Sequence, residues 1–263
     1  MLSSRTGKSD SKIANIEKLS QKTAIRKTTI EALERFPNID ASDIWKSVYS
    51  AHMDRKSGIA DPEVIKKVVS AENSWKKSSG HAFEEMIEVL GNSKLMHHDI
   101  RILLQKDMKL LIENSGIHNE ERDIAWLREQ IRNSIFDLYV TLKKPNGEEH
   151  VYGCIQSKTS IRDRVTRDRE PSMNAMNKFF WSVAICLDGE YLRMPKFIGM
   201  VNGDTQEHAI NGWHGLYVLS DDYSVDRIYP IDIDLSLFVN HALQAAEEWL
   251  KNRQWFNHEW KAK

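Results

Sequence analysis

The stretch from Ile135 to Lys158 constrains this 263-residue chain more than any other. Ile135-Phe136-Asp137-Leu138-Tyr139-Val140-Thr141-Leu142 is dense in β-branched and aromatic residues, the types that fit a pleated surface. Pro145-Asn146-Gly147 follows, and Asn-Gly between apolar runs is a strong hairpin signal. His150-Val151-Tyr152-Gly153-Cys154-Ile155-Gln156-Ser157-Lys158 reads as the returning strand. An antiparallel pair in mid-chain requires a sheet, and the sheet requires layers to cover it.

The flanks supply those layers. Ile13, Ile16, Leu19 and then Ile25, Ile30, Leu33 recur at helical intervals, stopping near Phe36-Pro37-Asn38. Asp40 or Ser42 can cap a second helix through Ile44, Trp45 and Val48, and Asp61-Pro62-Glu63 opens a third with proline in the first turn. Lys76-Lys77-Ser78-Ser79-Gly80 reads as a boundary, after which Phe83, Met86, Ile87 and Leu90 share one helical face. The spacing predicts further helices at about Ile100–Ile112, Asp123–Arg132, Ser172–Leu187 and Ser236–Lys251. It predicts strands at Phe197–Val201 and Gly215–Leu219. The expected architecture is α/β (α+β): a helical domain over residues 1–75, serving packing, dimerisation or a helix-turn-helix-like contact, and a domain over 76–263 with a mixed central sheet flanked by helices.

The chain carries 37 basic and 38 acidic residues, which argues against a generic nucleic-acid coat but leaves room for a local basic cluster. No apolar run approaches the ~20 residues of a membrane span, and the first residues lack the apolar core of a secretory signal. Cys154 and Cys186 both lie in apolar segments and read as buried free thiols, so a reducing cytoplasm is expected.

Asp137 on the first hairpin strand and Lys158 ending the second are 21 residues apart. Paired strands bring such groups to one sheet edge. A carboxylate there can hold a hard divalent cation, which activates water against a phosphodiester. A lysine can orient the water or steady developing charge. Alone, the pair is equally compatible with a strand cap and a solvated strand end. The next residues add weight: Arg162, Asp163, Arg164, Arg167 and Arg169 fall within eight positions. Such a run is often a solvated, ion-paired face. It also suits base reading, because arginine donates two bonds to guanine and a carboxylate accepts from cytosine.

Taken together, these residues resemble the CCGG-reading branch of type II restriction endonucleases, within the PD-(D/E)XK nucleases. The similarity covers about Phe136–Glu170, with support from the helix near Gly80. It implies that Asp137 binds metal, with Phe136 where proline is usual, and that Lys158 is the catalytic lysine. Gln156 stands two before the lysine, where the wider superfamily has Asp or Glu. The CCGG branch moves that acid onto the following helix, and Glu170 suits the displaced position, twelve residues after Lys158. Arg162, Asp163 and Arg164 would read the core, although Arg162 and Asp163 adjoin where the branch usually has an intervening residue. Gly80-His81-Ala82-Phe83-Glu84 resembles the start of the helix that carries a supporting glutamate. Periodicity leaves Glu84 and Glu85 open, and the resemblance favours Glu84.

The resemblance implies a Mg2+-dependent, site-specific deoxyribonuclease that leaves 5′ overhangs, with double-stranded DNA as partner. A palindromic target calls for a homodimer. A structure-directed repair or junction nuclease, and a non-catalytic DNA-binding protein of the same fold, are the alternatives; Gln156 is the best argument for the latter. Other candidates carry less. Adjacent His97 and His98 on a helix point apart, Ser157 beside Lys158 lacks an oxyanion-hole motif, and Trp249, Trp255 and Trp260 suit burial as well as base stacking.

Overall fold

The computed structural model describes residues 10–57, 62–160, 164–219 and 223–263. The chain forms two compact units, Met1–Met86 and Ile87–Lys263. In the first, α1 (Asp10–Arg35) and α2 (Ala41–Ser57) precede α3 (Pro62–Leu95), which continues into the second unit. The buried stripe of α1 is Gln21, Ile25, Thr29 and Leu33, four residues apart; the expected Ile16 and Leu19 are exposed. Asp40 caps α2, its carboxylate accepting the Ser42 N–H at 2.7 Å. Trp45 packs against Trp75 and Phe83, with ring centroids 5.5 and 6.2 Å apart. Helix α3 runs unbroken across Lys76–Gly80, where the sequence suggested a fresh start. Ser78 and Ser79 are buried there, and tertiary packing outweighs their weak helix preference.

The second unit holds a sheet of β1 (Ile100–Leu104), β2 (Leu138–Lys143), β3 (Glu149–Ser160), β4 (Trp181–Asp188), β5 (Gly215–Val218) and β6 (Ile228–Pro230), in that spatial order. Pairings β1–β2 and β2–β3 are antiparallel, and the remaining three are parallel. The expected hairpin is β2–β3. Its turn has Gly147 at φ +88°, a conformation natural to glycine, and Asn146 accepts the Glu148 N–H at 3.1 Å. Among the described helices, α4 (Gln105–Glu113), α5 (Glu121–Arg132), α6 (Arg164–Met176), α7 (Pro195–Asn202) and α8 (Ser236–Asn252) complete the unit. None is long and apolar enough to cross a membrane. Both cysteines are buried thiols outside any disulfide.

Three expectations are corrected. Ile100–Ile112 is a strand followed by a helix, because Ile100-Arg101-Ile102-Leu103-Leu104 pairs with β2 before α4 begins. The apolar end of the Ser172–Leu187 run is β4: α6 stops at Met176, Phe179 turns the chain at φ +64°, and Trp181–Leu187 enters the sheet. That strand lies between parallel neighbours and is buried from Trp181 to Leu187, so it lacks the alternation that marks a half-exposed strand. Phe197–Val201 lies in α7, started by Pro195 in the first turn. Short apolar runs do not reveal their own periodicity; their neighbours decide.

Parallel strands need a crossover. Helix α6 is the crossover between β3 and β4, so the chain leaving the end of β3 must return over the sheet. That return is what assembles the site.

Candidate active site

Asp137 lies immediately before β2 and is held from three directions. Its N–H donates to the Ile155 carbonyl at 3.0 Å, and its own carbonyl accepts the Gln105 N–H at 3.2 Å. Its carboxylate Oδ2 accepts the Ser157 N–H at 2.7 Å. These bonds fix the carboxylate against β3, one residue from Lys158.

Lys158 Nζ lies 3.4 Å from Asp137 Oδ2 and 3.5 Å from Asp168 Oδ2. The side chains of Asp137, Lys158 and Asp168 are 25%, 17% and 20% exposed, so the trio is reachable from solvent yet partly desolvated. Two carboxylates around one ammonium leave an excess negative charge at a surface where a cation can approach.

The expected acid Glu170 is not the one beside Lys158; Asp168 is. The helix explains the difference. Val165, Ser172 and Met176 are buried, and Asp168 falls on their stripe at three residues after the first and four before the second. Glu170 lies about 200° around the helix from Asp168 and is exposed. The apolar spacing of Val165, Ala175 and Met176 carried this signal.

Gln156 shares a face of β3 with Lys158 and is 1% exposed. Its Oε1 accepts the indole N–H of Trp213 at 2.8 Å, and its Nε2 donates to the backbone carbonyl of Asp168 at 3.0 Å. Trp213 is buried in a cluster with Val165, Ala184 and Leu216. Composition had marked neither Asp168 nor Trp213 as functional.

Arg162 and Asp163 lie outside the described residues, and Arg164 opens α6 with its side chain outside them too. Arg167 is exposed. Arg169 serves packing: it donates to the Met200 carbonyl at 3.0 Å and to that of Ile210, tying α6 to α7 and to the loop after it. Glu84 lies on α3 in the first unit, 3.1 Å from His81, whose imidazolium it favours, raising the His81 pKa. Glu85 is buried and ion-paired with Lys22 and Arg26, which leaves Glu84 the less committed of the two carboxylates.

Among the described residues no cluster of three or more His, Cys, Asp or Glu could hold a metal. The donor set at Lys158 still fits a hard ion such as Mg2+, which typically takes one or two carboxylates and completes its shell with water and substrate phosphate.

A family described as BsaWI restriction endonuclease type 2 matches residues 116–255. The type II restriction enzyme AgeI of Thalassovita gelatinovora is 28% identical over 182 residues, covering 67% of this chain. The chain spans 59% of that enzyme's length. A crystal structure of a pre-specific BsaWI–DNA complex is similar at 68% identity and a TM-score of 0.75, over 94% of this chain and 90% of the other. A crystal structure of a specific AgeI–DNA complex shares the fold at 18% identity and a TM-score of 0.56, over 85% and 84% of the two chains. The matched region runs from just before α5 to beyond α8 and encloses the whole Asp137–Lys158–Asp168 arrangement. The chain therefore belongs to the BsaWI family of type 2 restriction endonucleases.

Proposed function

We propose that this chain is a Mg2+-dependent type II restriction endonuclease of the bacterial cytoplasm. It acts as a homodimer, cutting both strands of duplex DNA at a CCGG core and leaving 5′ overhangs. The observation that carries the chemistry is Lys158 Nζ lying between the carboxylates of Asp137 and Asp168, at 3.4 and 3.5 Å. Asp137 and Asp168 hold the metal in this reading, and Asp168 replaces Glu170. The bound cation supplies polarisation of the scissile phosphate and a lowered pKa for the attacking water.

The chain's own residues do the rest. The Ser157 N–H fixes one oxygen of Asp137, leaving the other directed by a rigid strand pair. Lys158 presents N–H donors where charge builds on the phosphoryl oxygens, in a partly desolvated setting that strengthens the interaction. Glu84 is the supporting carboxylate. Arg162, Asp163 and Arg164 follow β3 directly in sequence, and in this reading they read the G·C pairs of the core. That proximity couples recognition to the chemistry.

The test is to incubate the protein with a long duplex and Mg2+ and to sequence the resulting ends. Discrete ends at one CCGG-containing motif support the reading. Scattered or branch-specific ends refute sequence-directed cutting, and intact DNA refutes catalysis. Asp137→Ala is expected to abolish cutting while preserving Ca2+-supported DNA binding.

A further inference from the structure

Where the wider superfamily has a metal-binding acid, this chain has Gln156, and its amide is engaged at both ends. One end accepts the Trp213 indole N–H at 2.8 Å, and the other donates to the Asp168 main-chain carbonyl at 3.0 Å. We propose that Gln156, anchored by Trp213, is a positioning residue that sets Asp168 beside Lys158 and so tunes the affinity of the site for its divalent cation. The inference rests on the proposed metal role of Asp168.

The chemistry singles out an amide. The side chain here must reach across from β3, accept from an indole, which can only donate, and donate to a carbonyl, which can only accept. Glutamine does both in one planar group. An ionised glutamate would keep the bond to Trp213 but would turn a lone pair towards the Asp168 carbonyl. An acid restored at this position would therefore push the first turns of α6 away from β3. Gln156 is then a working part of a rearranged site and not the scar of a lost one.

Other hydrogen bonds from α6 side chains lead to different elements. Thr166 donates to the Met200 sulfur at 3.8 Å, Arg169 donates to the Met200 carbonyl at 3.0 Å, and Ser172 meets Ser182 of β4 at 2.7 Å. Between Gln156, Lys158, Asp168 and Trp213 lies a void of about 10 Å³. That is room for about one water at most, so solvent has little space to bridge a missing bond. Asp168 sits in the second turn of α6, just after the buried Val165, and none of these bonds reaches β3. Loss of the amide bond removes the main-chain tie of this turn to β3, so the carboxylate shifts relative to Asp137 and Lys158.

The test compares full-length Gln156→Met, Gln156→Glu, Trp213→Phe and Asp168→Asn with the parent. Methionine preserves length without the hydrogen bonds, and phenylalanine removes the indole N–H while keeping much of the packing. Mn2+ binding is read directly from the electron paramagnetic resonance signal of the free ion. Single-turnover cleavage is followed against Mg2+ concentration in parallel. Gln156→Met is expected to weaken Mn2+ binding by about 10-fold and to raise the Mg2+ midpoint for cleavage by a similar factor. Its DNA affinity in Ca2+ should stay within about twofold, and excess Mg2+ should recover much of the rate. Trp213→Phe should show the same pattern more weakly, and it decides the matter if Gln156→Met fails to fold. Gln156→Glu should behave like the methionine variant or worse.

Parental Mn2+ binding and Mg2+ midpoints in both Gln156→Met and Trp213→Phe would overturn the inference, provided Asp168→Asn has lost the ion. Equal Mn2+ binding by Asp168→Asn and the parent, or none by either, overturns the metal reading beneath it. A full parental response in Gln156→Glu would refute the requirement for a donor.

Discussion

The exchange of Glu170 for Asp168 can be decided by two isosteric variants. Asp168→Asn removes a carboxylate 3.5 Å from Lys158 Nζ, between side chains 20% and 17% exposed. Pairs this accessible typically contribute up to about 1 kcal/mol. Lys158 keeps Asp137 at 3.4 Å, and the backbone carbonyl of Asp168 keeps the Gln156 amide. The fold should therefore lose no more than about 1 kcal/mol, equivalent to a Tm change of roughly 2–4 °C for a chain of this size. Catalysis is expected to suffer far more. Losing one preorganised electrostatic contact in an active site costs about 10²–10³ in rate, and in the proposed reading a metal-holding charge goes with it. A fall of at least about 10³-fold, or ~4 kcal/mol in the barrier, is expected in single-turnover cleavage at saturating enzyme. Glu170→Gln alters an exposed side chain on the opposite side of α6 and should stay within about twofold. Parental cleavage by Asp168→Asn together with a collapse in Glu170→Gln would refute the helix-face argument outright.

Other outcomes follow from the same structure. Burial pushes His214 down to a pKa of about 3 and His241 to about 4, and His214 accepts the Ser182 N–H at Nδ1, which a proton would block. Between those values and the ordinary 6.5, the unfolded chain binds protons that the folded chain refuses. Stability is thus fully present above pH 6.5 and falls as pH drops, by about 1.4 kcal/mol per unit for each histidine; urea unfolding of His214→Asn should show a shallower dependence than the parent. Gly153 sits in mid-β3, where an added Cβ would lie 3.1 Å from the Trp181 ring, 3.3 Å from its carbonyl and 3.3 Å from Val140. Gly153→Ala should cost about 1–3 kcal/mol in urea unfolding, and an unchanged midpoint would show that β4 yields. Arg162→Ala should lose about 1–3 kcal/mol of discrimination between CCGG and altered duplexes if it makes one bidentate guanine contact, measured by competition binding in Ca2+.

The hairpin was legible in the chain itself. Its strands alternate or run apolar around an Asn-Gly turn, so local propensity and packing agree, and with them came Asp137 and Lys158. The helix ends at Arg35 and Arg132 were legible for the same reason, and the last helix, expected to Lys251, ends one residue later at Asn252. The acid on α6 was not. Choosing between Asp168 and Glu170 needed the helical phase, and the apolar markers of that phase, Val165, Ala175 and Met176, are sparse in a segment rich in charge. The strands β1 and β4 were misread because burial on both faces, or pairing at an edge followed at once by a helix, erases period-two alternation.

Sequence alone thus determined which chemical groups the chain could offer: one acid and one lysine locked together by a hairpin, and an arginine run just beyond. Only the tertiary structure decided which second acid meets that lysine, and which groups Gln156 bonds. The reason is geometric. Hairpin register is set by residues adjacent in sequence, whereas the rotation of a crossover helix over a sheet is set by side chains such as Trp213, brought there from 57 residues beyond Gln156.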